Sequence, residues 1–388
     1  MSASIRPEFA GELEKYGAKG VSACFNCGNC TAVCGLSTSG APFPRKLIRA
    51  VQLGLTDRIA ESPEPWLCYY CGECSDTCPR QADPGETMMA LRRYLTARYD
   101  ATGISRLFYT SKAFEIGSLL FVAFLVGLCF HLFHGPVIAY RMALNVFAPV
   151  KVMEILDLVL LVLLSTVLLL NASRMFRLVM GDPGQYPKLS LAARQEAGNI
   201  TIRGVPVRYF LEEAKEFFVH FATQRNFASC GTKSAKMAWY EHLLVMSGYS
   251  TVFLLVVVGL RWFQTDTMQP IWNPVRLLGY YATFGILYGV TRAIKGRLAK
   301  DRAARAHSHS SDWVFLVMLW LTAFTGILVH AARLADWPLG VYALYVVHLM
   351  VAVPMLAVEV PFAKWAHQLY RPLVLYLMKV KARALAGE

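Results

Sequence analysis

No secretory leader opens this sequence: residues 1–23 (MSASIRPEFAGELEKYGAKGVSA) carry charges throughout and have no apolar core. Charge is scarce, at 17% of residues, and acidic residues scarcer still, 26 against 39 Lys and Arg. No G-x-G-x-x-G run occurs, so the glycine-rich turn that cradles a flavin or nicotinamide diphosphate is missing. The polar part of the chain also offers no other candidate for a substrate-converting centre. These absences argue against a self-contained soluble enzyme.

What the chain has in excess is apolar residues, 55% of the total, with a mean hydropathy of +0.39. That composition belongs to a membrane protein with a polar appendage. Residues 1–110 read as soluble sequence, and beyond them long apolar runs alternate with basic connectors. Six runs reach the roughly 20 residues needed to cross hydrocarbon: 113–134, 152–173, 242–262, 275–294, 312–334 and 339–360. Glu154 and Asp157 cut into the start of the second, and Glu359 lies near the far end of the sixth. Connectors 174–241, 295–311 and 361–388 hold ten, five and five Lys or Arg. Connector 135–151 holds only Arg141 and Lys151, while 263–274 and 335–338 hold none. The positive-inside rule then places the N-terminal domain, the long connector and both termini in the cytoplasm, with the spans in the inner membrane. The same bias accounts for the net charge of +13 without a nucleic-acid partner. Within the long connector, 210–221 (FLEEAKEFFVHF) sets Phe210, Phe217, Phe218 and Phe221 among acids, as an interfacial amphipathic helix does. His220 and Cys230 are read there as structural.

Eight of the ten cysteines fall into two copies of one spacing. The first is Cys24-x2-Cys27-x2-Cys30-x3-Cys34; the second is Cys68-x2-Cys71-x2-Cys74-x3-Cys78, followed by Pro79. Three thiolates at this spacing wrap one face of an iron–sulfur cubane, and the fourth reaches the other cluster. The expected sets are Cys24, Cys27, Cys30 and Cys78 on one [4Fe–4S] cluster, and Cys68, Cys71, Cys74 and Cys34 on the second. Zinc sites bring cysteines in pairs rather than in runs of four, and disulfides do not suit a cytoplasmic domain. Gly35 stands where proline follows the last cysteine of such motifs, which alters the turn but removes no ligand. Between the motifs, Pro44–Gly54 (PRKLIRAVQLG) has apolar positions at helical spacing and reads as a helix packing one loop on the other.

Together with 66–79 (WLCYYCGECSDTCP), this stretch resembles the dicluster C-type polypeptide of heterodisulfide reductase over about residues 20–100. Five histidines lie in or beside the spans: His131, His134, His242, His330 and His348. Intramembrane histidines are costly, and haem b takes axial imidazoles from facing helices. His330 and His348, followed by 360–367 (VPFAKWAH), resemble the last part of the respiratory nitrate reductase gamma subunit, a haem b bundle related to the membrane subunit of heterodisulfide reductase. That resemblance implies pairing His242 with His348. It also implies a second histidine further along the third span, which is absent between Leu243 and Phe263. Helix rise puts His131, His134 and His330 near outer ends, and His348 about 14 Å in from its outer end. An outer haem on His330 with His131 or His134 is therefore expected, giving one or two haems in all. His367 is expected at the inner interface, and His307 and His309 in a solvated loop before a helix capped by Ser310, Ser311 and Asp312.

The expected fold is all-α: an N-terminal helical dicluster ferredoxin-like domain (1–110), a six-span transmembrane haem b bundle (111–370) and a cytoplasmic tail (371–388). Order and length together resemble the C-type polypeptides of the quinone-interacting membrane-bound oxidoreductases of sulfate reducers. The resemblance implies menaquinol oxidation and electron delivery through flavin- and iron–sulfur-containing cytoplasmic subunits towards adenylylsulfate reductase. Quinol oxidation also needs proton acceptors, for which Glu154 and Asp157 at the outer side, or Glu359 at the inner, are candidates. An ordinary interfacial helix start is the competing reading of the first two. Two other roles stay open: a fused heterodisulfide reductase subunit serving a thiol/disulfide couple, and a transporter or passive anchor without haem.

Overall fold

The computed structural model describes residues 5–38, 42–186, 200–224, 227 and 233–386. Among these, sheet is limited to one pair of two-residue strands, Thr201–Ile202 and Val205–Pro206, and the architecture is helical. The polar N-terminal part is a cluster of short helices: α1 (Phe9–Glu14), α2 (Asn29–Val33), α3 (Arg45–Gln52), α4 (Thr56–Glu61), α5 (Glu64–Leu67) and α6 (Glu73–Asp76). They gather around the longer α7 (Pro84–Tyr99), with α8 (Ile104–Thr110) leading out. Helix α3 occupies the stretch expected between the motifs and buries Leu47, Ile48 and Val51. Helix α7 starts sharply because Pro84 sits in its first turn and the Asp83 carboxylate accepts from the Glu86 amide at 3.2 Å.

The apolar part begins with α9 (Lys112–Phe133), capped by the Ser111 hydroxyl, and α11 (Val150–Met180), with α10 (Leu144–Phe147) between them. After the connector helix α12 (Val207–Thr223) come α13 (Lys233–Val257), α14 (Pro274–Ala299), α15 (Ser310–Leu334) and α16 (Pro338–Pro354), and α17 (His367–Ala386) closes the chain. Five helical segments are long and apolar enough to cross a membrane, those of α9, α11, α13, α15 and α16 with its continuation to Phe362. The expected span 275–294 folds as α14 but, with Arg276 and Arg292 and its many glycines and tyrosines, is less apolar than the others. It lies between α13 and α15, where Gly285 brings its backbone close to the Leu244 carbonyl and Gly248 of α13 approaches the Ala282 carbonyl. Large apolar side chains such as Phe121 and Leu169 stay exposed on α9 and α11, the faces that a lipid phase would cover.

Two features differ from the sequence reading in ways that matter for the site. Helix α11 is 31 residues long, about 46 Å, and so outruns the ~30 Å hydrocarbon layer. Its last turns, with Met175, Val179 and Met180, enter the same hydrophobic core as Phe9, Trp66, Leu91 and Tyr99 of the N-terminal part. The stretch 371–386, expected as a tail, is helix, and its Val374 and Leu377, with the preceding Tyr370, complete that core. The soluble and membrane parts therefore share one interior. Helix α12 forms where the amphipathic pattern predicts, but it buries Tyr209, Phe210 and His220 and leaves Phe218 and Phe221 exposed. Cys230 lies outside the described residues.

His309 ends the loop before α15, as expected, but is only partly exposed. It is the N-cap of α15, with its side chain accepting from the Ser311 amide while Asp312 reaches back to the His309 amide, and its ring lies against Tyr109. Asp312 is buried at the junction and binds Arg93 of α7 at 2.9 Å and Lys364 at 2.5 Å. Arg93 also holds the buried Glu86 at 2.8 Å. Removing one member of such a set strands the others in a low-dielectric interior. We predict that Arg93→Met lowers stability by about 3–5 kcal/mol. Thermal unfolding of the detergent-solubilised protein checks this, and an unchanged midpoint would show that the network does not carry the junction.

Candidate functional site

The two cysteine loops are built alike. Asn26 and Tyr70, at matching positions, have φ of 58° and 56°, and Gly28 and Gly72 have φ of 93° and 94°. Left-handed residues on either side of Cys27 and Cys71 curl each loop in the same way, a backbone form that suits an anionic sulfur cage. Helices α2 and α6, carrying Cys30 and Cys74, pack on each other, and the Asn29 side chain donates to the Thr77 carbonyl at 2.5 Å. The repeated C-x-x-C-G was visible in the sequence; the positive φ at Asn26 and Tyr70 had no glycine to announce it.

The thiols fall into two neighbourhoods. Cys30 has Cys24, Cys27 and Cys78 as its ionisable neighbours, whereas Cys34 and Cys74 both have Cys68 and Cys71 first, with Cys30 of the other set contributing least. Thus the last cysteine of each run stands with the first three of the other. All nine described cysteines are free thiols, and among the described residues no three His, Cys, Asp or Glu close around a single-ion position. Burial, reinforced by the neighbouring sulfurs, pushes the Cys30, Cys34, Cys71 and Cys74 thiols up. Thiolates so placed need compensating positive charge from iron and donated hydrogen bonds. The Tyr70 amide donates to Cys68 Sγ at 3.3 Å and the Ala82 amide to Cys78 Sγ at 3.4 Å. A soft, four-thiol donor set with amide donors fits a cubane.

The second loop is tied to the membrane side. Arg371 of α17 donates to the carbonyls of Trp66 at 3.0 Å and Cys68 at 2.8 Å, and its guanidinium lies 4.4 Å from the Tyr69 ring centre. Arg92 donates to the carbonyls of Pro65 and Cys68. Trp66, Tyr99 and Tyr370 stack and cross behind the loop at centroid distances of 5.4–6.3 Å.

One turn before Arg371, His367 faces His242 of α13 with ring centres 6.1 Å apart. The His242 Nδ1 has no hydrogen-bond partner, whereas the His367 Nδ1 meets the Lys364 carbonyl. Burial, then the neighbouring His242, pushes His367 well below the ordinary imidazole range, which keeps it neutral and able to bind metal. The histidine facing His242 is therefore His367, whose position was expected to be merely interfacial, and not His348. His348 meets the Thr325 hydroxyl at 3.0 Å, its ring lying against Gly326 where a Cβ would come within 3.3 Å. His330 meets the Tyr280 hydroxyl at 2.8 Å and lines a small pocket with Arg276 and Arg333. His131 and His134 line a different, open pocket of about 250 Å³ with Phe130 and Phe147. The two pockets have no lining residue in common. Among the acids, Glu154 is paired with Arg261 at 3.0 Å, as at an ordinary interfacial helix start. Asp157 lies near Tyr345, and Glu359 is fully buried beside Glu115, Asp312 and Lys364.

Residues 23–82 match the sequence profile of a 4Fe-4S dicluster domain. A protein of Archaeoglobus profundus, named as resembling the C-type polypeptide of heterodisulfide reductase, is 34% identical over 112 residues, 29% of this chain and 59% of that protein. The iron–sulfur C-type polypeptide of the CoB–CoM heterodisulfide reductase of Methanopyrus kandleri is 32% identical over 96 residues, covering 23% and 50%. A protein named "probable membrane-anchored ferredoxin" from Chromohalobacter salexigens is 27% identical over 117 residues, covering 21% and 18%. The chain spans about half the length of the two heterodisulfide reductase relatives. No solved structure matches it.

The neighbourhoods of the thiols lead to a prediction about pairing. Cys78→Ala and Cys24→Ala should each remove the same cluster, and Cys34→Ala and Cys68→Ala the other, each leaving about four of about eight iron atoms. Iron content with electron paramagnetic resonance of the reduced protein reads this out. Residual spectra that pair Cys78→Ala with Cys68→Ala would refute crossed ligation.

Proposed function

We propose that this chain is the membrane electron-transfer subunit of a quinone-linked oxidoreductase, passing electrons from menaquinol through haem b and two [4Fe–4S] clusters to cytoplasmic partner subunits. The observation that carries the reading is the connection between the two halves: Arg371 binds the Cys68 loop one turn from His367, which faces His242. The route so defined runs from the His242–His367 pair to the cluster of Cys68, Cys71, Cys74 and Cys34, and then to that of Cys24, Cys27, Cys30 and Cys78. The first loop is suited to a partner protein, since Cys27 is exposed and Phe25 is 60% exposed, with Arg80 over its ring. The dicluster domain and both termini then lie on the cytoplasmic side of the inner membrane, together with the basic connectors.

When bound, haem supplies a one-electron carrier within the bundle. His242 and His367 would hold it, oriented by the Lys364 carbonyl on the His367 Nδ1. His348 and His330 are the next candidates for a second haem, while His131 and His134 stand in an open pocket. Asp157 and Glu359 remain the acids proposed to take quinol protons. Flavin chemistry is assigned to partner subunits, in the direction of adenylylsulfate reductase.

A second reading has its own support, since matching relatives are named as parts of heterodisulfide reductases. In that role the same electron path would serve a thiol/disulfide couple. Copurification separates the two, because a disulfide-converting complex requires a partner with the CCG-type cysteine pairs of the heterodisulfide catalytic polypeptide.

The direct test is a dithionite-reduced minus oxidised spectrum of the purified protein, followed by reduction with a menaquinol analogue. A b-type haem band is expected, with His242→Ala and His367→Ala each losing the haem held by that pair while iron–sulfur content is retained. Absence of haem, or failure of the quinol analogue to reduce the clusters, would overturn the quinone-linked reading.

A further inference from the structure

Glu115 in the first turn of α9 and Glu359 beyond α16 are both fully inaccessible to solvent, and they are neighbours. One turn further along α9, Leu119 packs in the same apolar cluster as Val358, which fixes the two helices at this level. Neither carboxyl makes a well-formed hydrogen bond, although Ser310 stands beside Glu115 and the Lys364 backbone beside Glu359. Glu359 ends a π-helical turn, Met355–Glu359, that follows Pro354. Wide turns of this kind re-aim a side chain and recur at functional positions.

Two buried carboxylates close enough to repel each other cannot both stay ionised without heavy compensation. The charged groups around the pair are countable. Asp312 of α15 and Lys364 face Glu359, and Asp312 and Lys112 face Glu115, while the Tyr109 hydroxyl of α8 approaches Glu359. Asp312 is in turn surrounded by Lys364, Arg93 and Arg297, and Arg93 by Glu86. Lys112 is exposed, so its charge is screened by solvent; in the inner network of Arg93, Arg297 and Lys364 with Asp312 and Glu86, three cations against two anions leave one positive charge over. A Glu115–Glu359 pair holding one proton carries one negative charge and balances it; a doubly ionised or a neutral pair does not.

We propose that Glu115 and Glu359 share one proton at rest and form a redox-linked proton site at the junction of the dicluster domain with the membrane helices. When an electron arrives at the junction, the pair takes up a second proton from the cytoplasmic side. When the electron leaves for the partner, that proton is released, so charge is conserved at each step. Asp312, which faces Glu359, is joined through Arg93 to Glu86 of the dicluster domain, so the pair borders the polar side of the junction. This uses the electron-transfer reading only for the response to reduction; the resting proton does not depend on haem or quinol.

Infrared spectroscopy of the full-length protein in detergent, with glutamate labelled by carbon-13 at its side-chain carboxyl, tests it. At neutral pH the oxidised protein should show a carboxylic-acid carbonyl band that shifts with the label and in deuterium oxide. Dithionite reduction should increase that band. Glu115→Gln and Glu359→Gln should each abolish it, because the remaining carboxylate is then alone beside the excess positive charge. Retention of the band in either variant, or a wild-type protein with no deuterium-sensitive acid band, overturns the proposal. The wild-type measurement holds even if a variant fails to assemble, and it fails independently of any loss of haem or quinol activity.

Discussion

The contact on which most of the structure depends is the one between Arg93 and Asp312. It joins a residue of the dicluster domain to the first turn of a membrane helix, 219 positions away, inside a region that water does not reach. Asp312 sits where the α15 dipole favours an anion, and three cations converge on it. An ion pair in this setting contributes little net stability over an apolar contact, but it is costly to break, so it defines one arrangement of the two halves and excludes slipped ones. Electron transfer over protein distances depends on that arrangement being fixed. The long α11 and the α17 core reinforce it with apolar area, which is less selective about register than a directional guanidinium–carboxylate pair.

A second set of arginines does for the cluster what the first does for the domain. Arg92 and Arg371 come from different helices, one from α7 and one from α17, and donate to the same Cys68 carbonyl. Placing two guanidinium groups beside a thiolate-rich loop offsets the negative charge of a ligated cluster. It also ties the backbone of the loop to the helix that carries His367. The carbonyl at the matching position of the first loop, that of Cys24, is instead held from within the domain by Gln52. The asymmetry between two loops of nearly identical shape is what gives the path a direction in space.

Local patterns in the sequence were sufficient for the parts of the fold that are themselves local. The cysteine runs, the α3 helix between them and the apolar helices all follow from spacing within a few tens of residues. What sequence could not reveal were partnerships between remote, individually ordinary residues. His309 looked like one more polar residue of a loop, and only its packing on Tyr109 distinguishes it. Glu115 is a first-turn acid of α9, a position where Glu is favoured on any helix, and nothing local in the sequence marks it as buried. His367 lay beyond the last apolar run, and depth arithmetic along straight spans therefore passed over it. The turn after Pro354 and the break at Ala363 bring the chain back beneath the bundle, which a count of residues at constant rise does not contain.

The buried carboxyls and the ion network are best understood as one electrostatic unit rather than two features. A carboxyl taken into a protein interior without hydrogen-bond partners is unfavourable by several kcal/mol unless charge nearby offsets it. Here the offset is the single uncompensated cation around Asp312, the same group of residues that locks the domains together. Each half makes the other tolerable: the carboxyl pair neutralises a clamp with a cation to spare, and the clamp's excess charge permits acids at a depth where they would otherwise be excluded. It follows that the rigidity of the junction and its capacity to hold a proton are not separately adjustable, since any change in the charge of one shifts the balance of the other.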